Sequence, residues 1–167
     1  MRIPVFVSCP SRLSINQSQI RDIVTARLEA CGLEPRTLGR SDYPVGTPLR
    51  EVLSIARHCA GAVILGFEHS RSTGRTIVGP HTDSPRVIEP DCVHPTPWNN
   101  LEAGIAYALD LPLLIFKENG ISGGVFDPGA TEVFVYPMPT IDAEDIASAE
   151  GIIQRWQSPV RNTYYRG

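Results

Sequence analysis

Apolar residues along this chain follow two rhythms, and the two alternate. Ile3 to Ser8, Ala62 to Gly66, Leu111 to Phe116 and Val133 to Tyr136 are almost continuous apolar runs, the pattern of strands buried on both faces. Leu33 to Leu38 is a weaker strand, and its Pro35 suits a sheet edge. Between these runs the spacing lengthens to three and four. From Asn16 to Cys31, the residues Ile20, Ile23, Val24, Leu28 and Cys31 share one helix face, and Gly32 supplies the stop. After a loop from Gly39 to Gly46, Thr47-Pro48 reads as cap and first turn of a second helix that turns Leu49, Val52, Leu53 and Ala56 inward. Thr96-Pro97 opens a third helix running to about Leu109. Ile141 to Trp156 forms a last amphipathic helix with Ile146, Ile152 and Ile153, followed by a polar tail over residues 158–167. Residues 67–96 show neither period, and a segment of that length is expected to serve as a lid or binding loop.

Strands alternating with helices predict a parallel sheet covered on both faces by right-handed crossovers. The expected fold is a flavodoxin-like three-layer α/β sandwich with five parallel strands in the order 2-1-3-4-5. It forms one domain over residues 1–157, with the tail outside it. Ligands of such sheets sit at the carboxyl ends of the strands, where the strand order reverses. That places the turn after strand one, the loop after strand three and the start of the third helix around one crevice.

With 167 residues, 42 % of them hydrophobic, the chain is long enough for a single well-filled core. A net charge of -3 argues against a nucleic-acid clamp, so a small molecule is the expected ligand. Cys9, Cys31, Cys59 and Cys92 are too dispersed for a CxxC motif and read as free thiols of a cytoplasmic protein. His69, His81, Cys92 and His94 match no zinc spacing, so no metal is expected. The apolar run at the N-terminus is too short to be a signal peptide or membrane span.

The candidate chemistry centres on Trp98-Asn99-Asn100-Leu101-Glu102. Trp98 and Glu102 are four residues apart and so share a helix face. The nearby helix N-terminus is expected to keep Glu102 ionised. A flat ring beside a carboxylate suits an N-glycosidic bond, with Trp98 stacking a base and Glu102 facing an electron-poor sugar carbon. Ser8, Cys9, Pro10, Ser11 and Arg12 after the first strand, Gly66 and Phe67 after the third, and Asn99 complete the expected binding surface. Ser8, Ser11 and Arg12 would face the ribose or phosphate. Asp83, Glu89 and Asp91 are candidate acids on the long loop, brought in when it closes.

The order of these motifs resembles the TIR and TIR-like domain family. Val5-Phe6-Val7-Ser8 resembles its opening strand, Gly46 with Leu49, Leu53 and Ala56 its loop and second helix, and Ala62 to Gly66 its third strand. Trp98-x-x-x-Glu102 is similar to the tryptophan and catalytic glutamate of enzymatic TIR domains. Asn100 to Ala106 also looks like the E-x-G-x-A segment of nucleoside 2-deoxyribosyltransferases. The resemblance spans residues 3–137. It implies cleavage of NAD between nicotinamide and ribose, or glycosyl transfer from a deoxynucleoside, with Glu102 at the anomeric carbon in both. NAD would then be substrate, with no separate cofactor, and activity would depend on assembly into a homo-oligomer. The segment from strand three to the tryptophan helix is much longer than in typical TIR domains, and the tyrosine that deoxyribosyltransferases carry after strand one has no counterpart.

Chemistry separates these alternatives. Nicotinamide leaves NAD from a pyridinium cation and departs neutral, so one carboxylate suffices. A deoxynucleoside base needs protonation by a second carboxyl group of raised pKa. Nucleotide sensing or protein interaction without turnover is the third possibility, since a fold does not dictate chemistry.

Overall fold

The computed structural model describes residues 2–38, 47–78, 85–89 and 91–166. Its central sheet contains β1 (Ile3–Ser8), β2 (Leu33–Arg36), β3 (Ala62–Gly66), β8 (Leu113–Lys117) and β9 (Val135–Pro137) in the order β2-β1-β3-β8-β9. Every pairing is parallel. Ranked by their place in the chain, these five strands follow 2-1-3-4-5, so the flavodoxin-like three-layer fold is the one expected. β2, with Pro35 opposite Val5, lies at the sheet edge.

Alternation along each strand divides the core in two. Val5, Val7, Val63, Leu65, Leu114 and Phe116 face one side and pack with Ile20, Val24 and Leu28 of α1 (Ile15–Ala30) and Ile153, Trp156 and Val160 of α4 (Ala143–Arg166). Phe6, Ala62, Ile64, Leu113 and Ile115 face the other, against α2 (Pro48–Arg57) and α3 (Pro97–Ala108). Residues two apart on a strand share a face, so the continuous apolar runs serve both layers. Ser14 and Gln17 form a capping box at the start of α1, and Gly32, at φ +75°, follows its end.

Three expectations are corrected. Residues 67–96 carry β4 (Ser70–Ser72), β5 (Arg75–Val78), β6 (Pro85–Glu89) and β7 (Cys92–His94). β4 pairs with β7 and β5 with β6, both antiparallel, so one hairpin is nested within another. Strands this short show too few alternations to register as a period. Val93 anchors them by its burial in the α2/α3 layer.

The expected tail is also helical. α4 continues through Pro159 to Arg166 and buries Val160 completely. A proline inside a helix forfeits the bond to the carbonyl four residues earlier. Here that carbonyl belongs to Arg155, and both residues are exposed, so water can take the freed acceptor. In α2 the inward face is Val52, Ile55 and Ala56, while Leu49, expected inward, is 45 % exposed. Among the described residues no helix is long and apolar enough to cross a membrane. The loop from Gly39 to Gly46 lies outside the described residues.

Candidate active site

A cavity of about 170 Å³ opens where β1 and β2 end and where α2 and α3 begin. Cys9, Pro10 and Ser11 follow β1, Leu38 follows β2, Pro48 starts α2, and Thr96, Trp98 and Glu102 come from the first turns of α3. A helix started by a cap and a proline has a fixed entry direction. Thr96 caps α3 by accepting from the Asn99 N–H, which directs Trp98 and Glu102 to one side. The shared face expected for these two residues is therefore the wall of a cavity.

Behind the wall lies a chain of hydrogen bonds. The Thr96 hydroxyl donates to Asn99 Oδ1 at 2.9 Å, and Asn99 Nδ2 donates to Ser8 Oγ at 2.9 Å and to the Leu65 carbonyl at 3.3 Å. Ser8 in turn hydrogen-bonds the Glu102 carboxylate. Ser8 and Asn99 are both 1 % exposed. Because the Asn99 amide occupies an Oγ lone pair, the Ser8 proton is left to point at Glu102. Buried polar groups completely partnered in this way hold a single arrangement.

Glu102 departs from its expected charge state. Burial pushes its carboxyl from the ordinary 4.5 up to about 7, and the Ser8 hydrogen bond offsets only part of that rise. Glu102 stands six residues beyond the Thr96 cap, outside the first turn where the helix dipole acts. Among the described lining residues there is no lysine, arginine or histidine, and Glu102 is the one carboxyl group. Near neutral pH a carboxyl group so placed is divided between its neutral and ionised forms.

Trp98 is 44 % exposed, leaving a ring face open to a ligand. Cys9 and Pro10 line the cavity beside it, and the Cys9 thiol lies 3.6 Å from the Pro10 carbonyl. Ser11 lines it from an exposed position. Arg12 is exposed and does not line it. Gly66 and Phe67 are buried away from the cavity. Phe67 belongs to the α1/α4 core, and a side chain at position 66 would lie 2.4 Å from the Phe126 ring. Among the described residues, strand β3 thus serves the site through the Leu65 carbonyl. Asn99 is behind the wall, in contact with Ser8.

The candidate acids are dispersed. Asp83 lies outside the described residues, and Glu89 closes β6 opposite Arg75. Asp91 is exposed and acts electrostatically on Arg71, which forms a two-pronged ion pair with Glu68. Of the described part of 67–96, only Thr96 lines the cavity. His94 pairs with Ser72 across the outer hairpin. No group of three metal-ligating side chains occurs among the described residues. Leu38, Pro48 and Thr96 are lining residues that sequence reasoning missed. The two Thr-Pro pairs gave a signal, because each marks a helix start and helix starts converge on such a crevice.

The chain was compared with protein-family models and with curated proteins, and neither comparison found a match.

Proposed function

We propose that this protein cleaves the N-glycosidic bond of NAD or a related nucleotide, in the manner of the TIR-like enzymes its motifs resemble. The observation that carries this is the half-buried Glu102 carboxyl on a cavity wall beside the open Trp98 ring, with no cation among the described lining residues. Trp98 stacks the nicotinamide, whose positive charge favours the ionised form of Glu102. As the bond from C1′ to nitrogen breaks, its electron pair passes to the ring and nicotinamide departs neutral. Glu102 then faces the positive charge left on the sugar, as an ion pair or a transient ester. Water adds to C1′ and releases its proton to solvent.

The cavity is smaller than the several hundred Å³ of a pocket that encloses a whole ligand. It suits one ring with its sugar, leaving the rest of a dinucleotide outside. α2 starts at the rim with Pro48, which has no N–H, and the Arg50 N–H donates to the Thr47 carbonyl, so the first turn of α2 offers a phosphate no more than the Leu49 N–H. Exposed Leu101 and Tyr107 on α3 offer apolar surface for assembly into a homo-oligomer. We place the protein in the cytoplasm, where NAD is abundant.

A single carboxyl group among the described lining residues argues against a deoxynucleoside, whose base needs an acid while its sugar needs an anion. Incubation with NAD and, separately, with deoxynucleosides tests the choice. Nicotinamide released from the first and no free base from the second is the expected result. Free base without nicotinamide would make the protein a deoxyribosyltransferase or nucleoside hydrolase, and neither product would leave a non-catalytic sensing module.

A further inference from the structure

The solvent side of α3 lacks the polar face that a surface helix of a globular protein ordinarily carries. Glu102 is the one charged residue between Pro97 and Ala108, and it lines the cavity. Pro97, Leu101, Gly104 and Ala108, spaced four, three and four residues apart, form one exposed ridge flanked by Trp98 and Tyr107. Trp98 and Leu101 are each 44 % exposed and Tyr107 is 55 % exposed. Leu49, exposed at the start of α2, extends the apolar area, since α2 packs beside α3.

The order of residues along this ridge indicates what covers it. Gly104 stands midway between Leu101 and Tyr107, and also midway between Trp98 and Asp110. A two-fold axis through Gly104 therefore lays Leu101 of each copy against Tyr107 of the other, and Trp98 beside Asp110. The residue without a side chain falls where the two helices cross most closely, and a Cβ added there would meet nothing within 4 Å.

Charge is complementary in the same arrangement. α3 has no acidic residue in its first turn and no basic residue in its last, so its own side chains offset neither end of its dipole. Antiparallel pairing sets each positive end against a negative one. It also brings Asp110, which is exposed and has no side-chain partner among the described residues, to the start of the opposite α3. Covering the ridge, its flanks and Leu49 on both copies removes about 1,000 Å² from water, the lower bound for a specific interface.

We infer that two copies of this chain associate through α3, antiparallel about a two-fold axis at Gly104. The inference rests on the homo-oligomer of the reading above but is tested without NAD, so the dimer and the reaction stand or fall separately.

Sedimentation velocity of the full chain from about 1 to 200 µM is expected to show a monomer–dimer equilibrium of micromolar order. Gly104→Glu puts two like charges together on the axis and should weaken the dimer about tenfold or more. The helix accepts this side chain, so the melting temperature of the monomer should hold. Gly104→Cys, oxidised with diamide, is expected to form a disulfide-linked dimer, because the axis brings the two thiols together. Ala147→Cys, at an exposed position on α4, controls for the native cysteines. A chain that stays monomeric throughout overturns the inference, as does a dimer that Gly104→Glu leaves equally tight. Cross-linking no faster at position 104 than at position 147 overturns it as well.

Discussion

The side-chain amide of Asn99 donates to the hydroxyl of Ser8 at 2.9 Å, a bond that joins the third helix to the first strand across 91 residues of chain. Asn99 thereby acts on Glu102 without lining the cavity. It fixes which way the Ser8 proton points, and that proton stabilises the ionised carboxylate. Removing either partner raises the Glu102 pKa further, by about one unit for a hydrogen bond to a charged group. Carbon-13 NMR titration of the Glu102 carboxyl in Ser8→Ala and Asn99→Leu measures this. The two effects are expected to overlap, so that Asn99→Leu adds little once the Ser8 hydroxyl is gone. Additive shifts would show that Asn99 reaches Glu102 by another route.

Glu102 also sets a pH dependence of stability. Its folded pKa of about 7 lies above the ordinary 4.5. Within that window the folded chain keeps a proton that the unfolded chain has lost, so stability falls as pH rises through it and stays lower above it. Integrated over the shift, this is at most about 3 kcal/mol. Glu102→Gln removes the dependence. Urea unfolding should find the variant more stable than the parent at about pH 8 and equal to it at about pH 4. Equal stability at both would mean that burial does not disfavour the charge.

Trp98 is held by its helix and half exposed, so its replacement costs little stability. Trp98→Ala is expected to weaken binding of NAD about tenfold through lost stacking, with the melting temperature nearly unchanged. Isothermal titration with Glu102→Gln as the parent separates binding from turnover. Unchanged affinity would assign the ring a different role.

Residues 158–166 hold the core together. Val160 is fully buried and Tyr164 packs against the same cluster. Ending the chain after Gln157 should cost about 2 to 4 kcal/mol, read as a drop in the urea midpoint. An unchanged midpoint would mean that the last turns of α4 are dispensable.

Much of this architecture could be read in the sequence because it rests on local periods. The runs at Val5 and Val63 each serve two layers, and that is why they are apolar throughout. Trp98 and Glu102 meet at one cavity because a four-residue spacing is a property of any helix. What escaped depends on tertiary context. Pro159 marks a helix end by local rules, yet the packing of Val160 carries the helix past it. Leu49 and Ile55 are both apolar, and only docking against the sheet decides which is covered. The charge of Glu102 turned on burial set by other elements. Its link to Ser8 and Asn99 joins residues whose proximity no spacing encodes.

The central claim is that an anionic Glu102 supports the positive charge left on the ribose as nicotinamide departs neutral, and the rate of nicotinamide release from NAD across about pH 5 to 9 tests it most directly. The account predicts that kcat/KM rises with pH, levels off above about 7 as Glu102 loses its proton, and is abolished in Glu102→Gln. A rate that falls over the same range, or that survives in Glu102→Gln, would contradict it.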